Sequence, residues 1–307
     1  MNPSLHPTDE KSTRASEAPS AATVATVPVA AVPVAVAGET ADAESGVIEI
    51  PAGRAPRKLH STRQRLLELG SRGLGQLQRA LGTVSTRLPP TPLGALCGVA
   101  DTWALSAENL MLGYAQGLFA MDFGGKLRWH CPAERFVLYL SELQLSVGLR
   151  DELKRRNYTT SFDQAPRAVL DACREGWLSE RMKLAYLELF ELGALQSVEV
   201  WKDGALVGGG FGVSIGRIWS AESMFERAPQ AGEAQFAAVA ARLIERGFEC
   251  VDGQTYSGHL AAFGAREVSI EEYRLRLARG LAAPVHFHAE GRAPRDPKTL
   301  ERSRAAG

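Results

Sequence analysis

Cysteine is scarce in this sequence, with four in 307 residues, and no two of them form a C-x-x-C pair. They lie far apart, at Cys97, Cys131, Cys173 and Cys250. This spacing argues against a disulfide framework and a structural zinc site, and it is typical of a reducing compartment. We therefore expect a cytoplasmic protein that needs neither a metal nor another cofactor.

Long hydrophobic runs are also missing. No stretch reaches the roughly 18 uninterrupted apolar residues of a transmembrane helix, and the polar first residues are unlike a signal peptide. The formal net charge is zero, whereas nucleic-acid-binding domains are usually basic. We expect no membrane association, and any RNA contact must come from local basic patches.

The first 92 residues differ in composition from the rest. Residues 1–54 are rich in Ala, Pro, Val, Ser and Thr and contain no aromatic residue, so they are predicted to be disordered. Residues 54–88 are strongly basic, with Glu68 as their single acid. They fit either a basic amphipathic helix or a solvated linker, and their glycines favour the linker. Prolines near residue 90 mark a domain boundary.

Residues 198–225 have the pattern of an antiparallel meander. Apolar residues alternate from Val198, the turn signal Lys202-Asp203-Gly204 follows, and two further extended runs come after it. The middle strand contains four glycines in a run of five residues, 208–212, which weakens a strand unless something approaches it closely. Either the strand is bulged and twisted, or a ligand lies along it.

Helices and strands alternate over the remaining chain, which predicts the α+β class. Helices are predicted to begin after Ser106 and to span 145–156, 180–192, 232–246, 257–263 and 269–278. Strands are predicted over 126–129, 135–140, 157–162 and 248–252. Asp163 is predicted to cap a helix beginning near Pro166. Beyond Pro284 we expect a frayed polar tail, in which the H-x-H pair is a weak metal signal.

Five motifs, in order, are similar to those of the bacterial leucyl/phenylalanyl-tRNA–protein transferases. They are GYAQGLFA from Gly113, RWHCPAERFVL from Arg128, AYLELFELG from Ala185, SVEVWKDGALVGGGFGV…SAESMF from Ser197, and VDGQTYSGHLAAFGA from Val251. The resemblance covers about residues 103–280. It implies an acetyltransferase-like (GNAT-type) domain at 159–283, a small α+β domain at 93–158, a disordered and basic extension at 1–92, and a polar tail at 284–307.

The same resemblance implies an enzyme that moves Leu or Phe, and in some cases Met, from the 3′ end of an aminoacyl-tRNA. The acceptor is a protein with N-terminal Arg or Lys, which is thereby marked for degradation by a monomeric enzyme. Asp252, Gln254 and Glu222 match the family's catalytic positions. Asp252 would accept, relay or attract the amine proton, Gln254 would orient the reacting groups, and Glu222 would fix Gln254. From the residues alone, a capping Asp and a surface Glu are favoured, and the resemblance reverses that preference.

Further residues match positions that bind substrate in the family. Trp129 and Trp177 would stack on the terminal adenine, although core packing is the alternative for each. The remaining positions are the motif residues Ser223, Met224 and Phe225, and Gly210 and Trp219, which would line the pocket for the amino-acid side chain.

Several positions depart from the family pattern. His130 replaces the second Trp of W-W-S-P, Ser257 replaces an Asn, and Gly232-Glu233 replaces a Ser-Lys pair, which inverts a charge that could meet phosphate. The three catalytic positions are unchanged. The departures leave two alternatives, a paralogue with another acyl donor and an inactive RNA- or peptide-binding module.

Overall fold

A computed structural model describes residues 75–76, 78–80, 104–173 and 176–288. The disorder predicted for residues 1–54 therefore lies outside the described residues, as does the chain beyond 288. No helix in the described ranges is both long and apolar enough to cross a bilayer.

Seven α-helices follow one another in the described residues between 104 and 288. They are α1 (Ala107–Ala115), α2 (Val147–Arg156), α3 (Pro166–Ala172), α4 (Glu180–Glu191), α5 (Ala231–Glu245), α6 (Gly258–Ala261) and α7 (Ile270–Ala282). The strands are β1 (Phe119–Phe123), β2 (Lys126–His130), β3 (Glu134–Tyr139), β4 (Thr159–Phe162), β5 (Leu195–Lys202), β6 (Ala205–Ile215), β7 (Ile218–Glu226), β8 (Cys250–Asp252) and β9 (Arg266–Ser269).

Seven of the strands form one mixed sheet, in the order β4-β5-β6-β7-β8-β3-β9. Neighbours are antiparallel except for β7 and β8, which are parallel and are connected through α5. Strands β1 and β2 form a separate hairpin. The prediction of an α+β fold is confirmed. The short strands β1 and β9 were not predicted.

Strand β3 joins the two predicted domains into one sheet. It belongs to the segment 93–158, yet it pairs with β8 on one side and β9 on the other. Residues from both sides of the predicted boundary therefore share a single hydrogen-bonded layer.

The sheet separates two apolar clusters. One face packs against α1, α3, α4 and α7 and includes Ile218 and Phe225 from β7. The opposite face packs against α5 and includes Trp219 and Met224 from the same strand. Side chains alternate between the faces on each side of Glu222, and this extra residue of β7 shifts the alternation by one, so that residues an odd number apart share a face.

The glycine run lets the protein's own groups approach β6. A side chain at Gly208 would meet Ala231 of α5 at 2.6 Å, and one at Gly212 would lie 2.4 Å from the Trp219 ring. The pairing between β5 and β6 also shifts register, which makes Val207 an extra residue of β6. The middle strand is therefore bulged, which is the first of the two interpretations of its glycines. The space beside Gly208 and Gly212 is filled by other residues of the same chain.

The cap predicted at Asp163 is wrong. Helix α3 follows Ala165 without any side-chain cap, although Pro166 does occupy its first turn. Asp163 has a φ of 58°, and its carboxylate instead accepts a 2.8 Å hydrogen bond from the Ser197 backbone N–H. The residue therefore connects β4 to β5.

The frayed tail predicted beyond Pro284 is wrong as far as residue 288. Phe287 is buried against Phe162, with a ring separation of 5.3 Å. Arg246 of α5 donates to the backbone carbonyls of residues 286 and 288, and the His288 imidazole contacts the Asp163 carboxylate. Residues 285–288 therefore hold the end of α5 to β4.

A second unexpected contact comes from the basic segment. Gln78, in its helical part, is fully buried. Its side-chain amide donates to the Ser214 carbonyl at 3.1 Å and accepts from the Gly216 N–H at 3.2 Å. The solvated-linker interpretation is therefore wrong at this residue.

The packing around Gly212 gives a matched test with Gly148. Gly212→Ala places a methyl group inside the Trp219 ring contact, so we expect a loss of about 1–3 kcal/mol in the free energy of unfolding. Gly148 lies in exposed helix α2 with nothing within 4 Å of the added carbon, so Gly148→Ala should be neutral or stabilise by up to about 1 kcal/mol. Urea unfolding measures both changes, and equal effects would contradict this packing.

Candidate active site

The three predicted catalytic residues lie together where β7 and β8 run side by side. Ser220 of β7 pairs with Asp252 of β8, and β7 continues from there to Glu226 without a β8 partner. Gln254 follows the end of β8, and its Nε2 donates to the Glu222 Oε1 at 2.9 Å. Gln254 thus bridges the gap that opens between the two strands.

Gln254 occupies a tight turn. The Thr255 N–H donates to the Gly253 carbonyl at 2.7 Å, and Gln254 between them has a φ of 63°. A three-residue turn with positive φ at its centre is a γ-turn of the rare, strained type. Such backbone is concentrated at functional sites, where its surroundings hold it in place.

The Asp252 carboxylate holds this turn from one side. Its Oδ1 accepts 2.8 Å and 3.0 Å hydrogen bonds from the Gln254 N–H and from Arg135 Nε. Its Oδ2 accepts from a second Arg135 nitrogen at 2.7 Å and from the Tyr273 hydroxyl at 2.8 Å. All four groups are buried. Both oxygens of Asp252 are therefore engaged twice.

The neighbouring charges change how these partners titrate. Burial lowers the pKa of Arg135, but the Asp252 charge and hydrogen bond and the smaller electrostatic effects of other neighbours together outweigh burial, so the net pKa lies above its ordinary value. Burial, together with the Asp252 charge, raises the pKa of Tyr273 well above its ordinary value. At neutral pH Arg135 is thus a cation and Tyr273 a neutral hydrogen-bond donor.

Glu222 is placed by the bulge between β6 and β7. Phe211 pairs with Ser223 and Gly212 with Ala221, so Glu222 is the extra residue of β7. Its Oε1 accepts from Ser220 at 2.9 Å as well as from Gln254, and its Oε2 accepts from the Tyr186 hydroxyl at 2.9 Å. These hydrogen-bond partners are all uncharged.

Burial is the main influence on the titration of Glu222, since none of these hydrogen-bond partners is a cation. Burial raises the pKa of Glu222, while the hydrogen bonds that it accepts act in the opposite direction. Burial and the Glu222 charge also raise the pKa of Tyr186 and Tyr114 well above their ordinary values. The two tyrosine hydroxyls are 3.2 Å apart and extend the network from Glu222 towards α1.

This arrangement can orient reacting groups. The Gln254 Nε2 is held by Glu222 and Ser220, whereas its Oε1 accepts no hydrogen bond from the described residues. The buried Ser223 hydroxyl, one residue beyond Glu222, also has no partner in that part of the chain. The Gln254 Oε1 is therefore a fixed hydrogen-bond acceptor and the Ser223 hydroxyl a donor that could bind polar groups of a reacting substrate. Within the same residues, no cluster of three His, Cys, Asp or Glu is placed to hold a metal.

Trp129 and Trp177 are buried in the core, each less than 5% exposed. Trp129 lies so close to Gly113 of α1 that a side chain there would meet its ring at 2.0 Å. Trp177 packs edge-on against Tyr186, with ring centres 6.3 Å apart. The core-packing alternative describes both rings in this structure.

The other predicted binding residues are divided between the two faces. Ser223 and Phe225 share the network's face of the sheet, whereas Gly210, Trp219 and Met224 face α5 on the opposite side. Gly210 abuts Gln235, and Trp219 covers Gly212. The structure therefore does not bring Gly210 and Trp219 together with the Gln254 amide.

Two of the substituted family positions, His130 and Ser257, have visible local contacts. His130 stacks on Phe119, with ring centres 5.4 Å apart and planes inclined by 21°. The Ser257 hydroxyl caps α6 by accepting from the Leu260 N–H at 3.4 Å.

Sequence analysis missed Arg135, Tyr273, Tyr186 and Tyr114. One signal was present for Arg135, because it shares the inward face of β3 with Val137 and Tyr139. A cation at an inward strand position requires a buried counterion. Nothing in the pattern identified that counterion as Asp252, which lies 117 residues away.

Glu222 gives a prediction about stability and pH. Because the pKa of Glu222 is raised in the folded protein, its contribution to stability is complete at low pH and falls as pH rises above the ordinary value of 4.5. Glu222→Gln removes this dependence and keeps groups that can hydrogen-bond to Gln254, Ser220 and Tyr186. We expect the unfolding free energy of the variant, relative to that of the unmodified protein, to increase between pH 5 and pH 8. A difference that stays constant or decreases in urea titrations at the two pH values would contradict this.

Comparison with known proteins identifies the family. A model described as leucyl/phenylalanyl-tRNA protein transferase matches residues 137–278. The leucyl/phenylalanyl-tRNA–protein transferase of Methylococcus capsulatus is 37% identical over 63% of this chain and 86% of its own length. The one from Herpetosiphon aurantiacus is 36% identical over 61% of this chain and all of its own. Among solved structures, L-PGS from Bacillus licheniformis matches with a TM-score of 0.31 and 16% identity over 50% of this chain and 55% of its own, too little to support an assignment. The chain belongs to the leucyl/phenylalanyl-tRNA–protein transferase family.

Proposed function

We propose that this protein transfers Leu or Phe from the 3′ end of an aminoacyl-tRNA to the N-terminal Arg or Lys of an acceptor protein, as a cytoplasmic monomer. The observation that carries the proposal is the buried Asp252–Gln254–Glu222 network at the end of the parallel pair. Family membership supplies the substrate classes. The family positions substituted in this chain lie outside the network.

The reaction needs orientation more than activation of the carbonyl. An aminoacyl ester already reacts with amines, so the protein must hold the α-amino group at the ester carbon and stabilise the oxyanion. The Gln254 Oε1 would accept one amine N–H, which directs the nitrogen lone pair. The Ser223 hydroxyl would donate to the developing oxyanion.

The proton balance can be completed by the substrates. The new C–N bond forms as the ester C–O bond breaks, and the proton lost by the amine ends on the leaving ribose oxygen. The neighbouring ribose hydroxyl can carry that proton. Asp252 would then act by holding the Gln254 turn, since both of its oxygens already accept two hydrogen bonds.

The start of α5 favours tRNA over a nucleotide-linked acyl donor. In an acetyltransferase-like arrangement, a donor diphosphate would lie at the helix that connects the two parallel strands. Here the Glu226 carboxylate occupies that end by accepting from the Gly232 N–H at 2.7 Å, and Glu233 adds an acid to the first turn. Burial lowers the pKa of nearby His259 to about 4, so it supplies no cation at neutral pH. This end of α5 therefore disfavours an anion.

A basic cluster beside the same loop suits the tRNA backbone. Helix α2 ends in Lys154, Arg155 and Arg156, and Arg156 donates to the Gln230 side chain at 3.0 Å, just before α5. Lys154 is largely exposed. Exposed cations near the loop can meet phosphates outside the buried network.

One assay separates the candidate functions. The full chain is incubated with leucyl-tRNA and peptides that begin with Arg or, as a control, with Asp. The proposal expects Leu on the Arg peptide alone. Binding of tRNA without transfer would indicate an inactive binding module, and neither binding nor transfer would indicate another acyl donor.

Variants at Gln254 and Asp252 test the roles given to the network. Gln254→Ala removes the oriented amide, so we expect kcat for Leu transfer to fall about 100-fold. Asp252→Asn should also be slow. The amide replaces one acceptor oxygen with an N–H₂ group, so at least one of the present hydrogen-bond donors would face another donor. Asp252→Ala leaves Arg135 buried without its counterion, which should cost about 3–5 kcal/mol in unfolding free energy. A folded Asp252→Ala protein with full activity would remove Asp252 from the mechanism.

The α2 cluster gives a salt-dependence test. Lys154→Gln combined with Arg155→Gln should weaken tRNA binding and reduce the slope of log affinity against log salt by about 1 for each phosphate that is no longer neutralised. Lys126→Gln, an exposed lysine on the β1–β2 hairpin, is the matched control and should change neither quantity. Unchanged slopes in the double variant would place the phosphate-binding residues elsewhere.

A further inference from the structure

The network includes a buried cation beside Asp252. Arg135 is fully buried on β3. It lies over the rings of Phe119 and Tyr273, at 5.0 Å and 4.7 Å from the ring centres, and donates to the Gly117 carbonyl at 2.9 Å. Its guanidinium is therefore located by two aromatic rings and a backbone carbonyl as well as by Asp252.

The position of Arg135 determines the position of one particular oxygen. The Asp252 Oδ1 accepts from Arg135 Nε and from the Gln254 N–H, so one atom joins the guanidinium to the strained turn. A second Arg135 nitrogen holds the Oδ2 and fixes the carboxylate plane. A bidentate pair provides a geometric constraint that a point charge such as an ammonium does not.

We infer that Arg135 is a positioning residue for aminoacyl transfer, orienting Asp252 and, through its Oδ1, the turn that presents the Gln254 amide to the substrate amine. This inference rests on the proposed function. On this inference, Arg135 contributes to transfer through the orientation that its two-nitrogen fork gives to Asp252, in addition to its charge. It also makes the reaction centre depend on β3 and the Gly117 turn, which precede Glu222, Asp252 and Gln254 in the chain.

Steady-state Leu transfer by Arg135→Lys tests the inference. Lysine keeps the charge but cannot provide the fork, so we expect kcat to fall about 100-fold, the size of effect that follows a small misplacement of a reacting group. The KM values for leucyl-tRNA and for the Arg peptide should stay within about twofold, since neither substrate contacts Arg135. The unfolding curve of each variant gives the folded fraction at the assay temperature.

A second variant separates positioning from a structural role. Arg135→Ala leaves space for a guanidinium ion, and millimolar guanidinium chloride, well below denaturing concentrations, should restore part of kcat when measured per folded molecule. Methylammonium at the same concentration should not. The kcat of Gln254→Ala should not rise in guanidinium chloride, because this variant lacks the Gln254 amide and still contains the Arg135 guanidinium.

The chain contains a matched control pair. Arg181 makes the same two-nitrogen fork to the buried Asp122, at 2.5 Å and 2.8 Å, outside the network. Arg181→Lys should lower stability and leave kcat unchanged. If it lowers kcat as much as Arg135→Lys does, the role of Arg135 is structural and the inference fails.

Other results would also overturn the positioning role of Arg135. Full kcat in folded Arg135→Lys, or activity that follows the folded fraction in both Arg135 variants, would overturn the inference while leaving the proposed function intact. An unmodified protein that transfers no Leu to the Arg peptide would overturn both.

Discussion

The ion pair between Arg135 and Asp252 is the constraint on which the candidate site depends. A charge buried this deeply is tolerated only with a counterion and filled hydrogen bonds. Arg135 meets that requirement from β3, Tyr273 from α7 and the Gln254 N–H from the turn itself. Elements that are far apart in the chain are therefore held at one point of the sheet.

The two carboxylates beside Gln254 are solvated by the protein in different ways. Asp252 accepts hydrogen bonds from a guanidinium, whereas the hydrogen-bond partners of Glu222 are neutral hydroxyls and an amide. Burial therefore raises the pKa of Glu222. One carboxylate holds the backbone of Gln254 and the other holds its side chain. Gln254 is thus held through both its backbone and its side chain. The side-chain Oε1 accepts no hydrogen bond from the described residues.

The glycine run contributes indirectly to the same site. Because Gly208 and Gly210 lack side chains, α5 packs directly on β6, through Ala231 and Gln235. Close packing of α5 accompanies the parallel pairing of β7 and β8, the two strands that it connects. The bulge opposite Gly212 then makes Glu222 an extra residue of β7, on the network's face. Features that resemble a ligand groove in the sequence therefore serve the packing that positions the catalytic candidates.

Local pattern alone determined the α+β class, the meander, the starts of α1, α6 and α7, and helix α5, because periodicity and capping act within a few residues. Resemblance to a family added Asp252, Gln254 and Glu222 as candidates. Tertiary structure decided what each residue touches. It assigned Arg135 to Asp252, Tyr186 to Glu222, Trp129 and Trp177 to the core, and Phe287 to a buried contact that local composition had marked as tail. The physical reason is that a buried side chain's role is set by its partners, and those partners come from strands and helices distant in sequence.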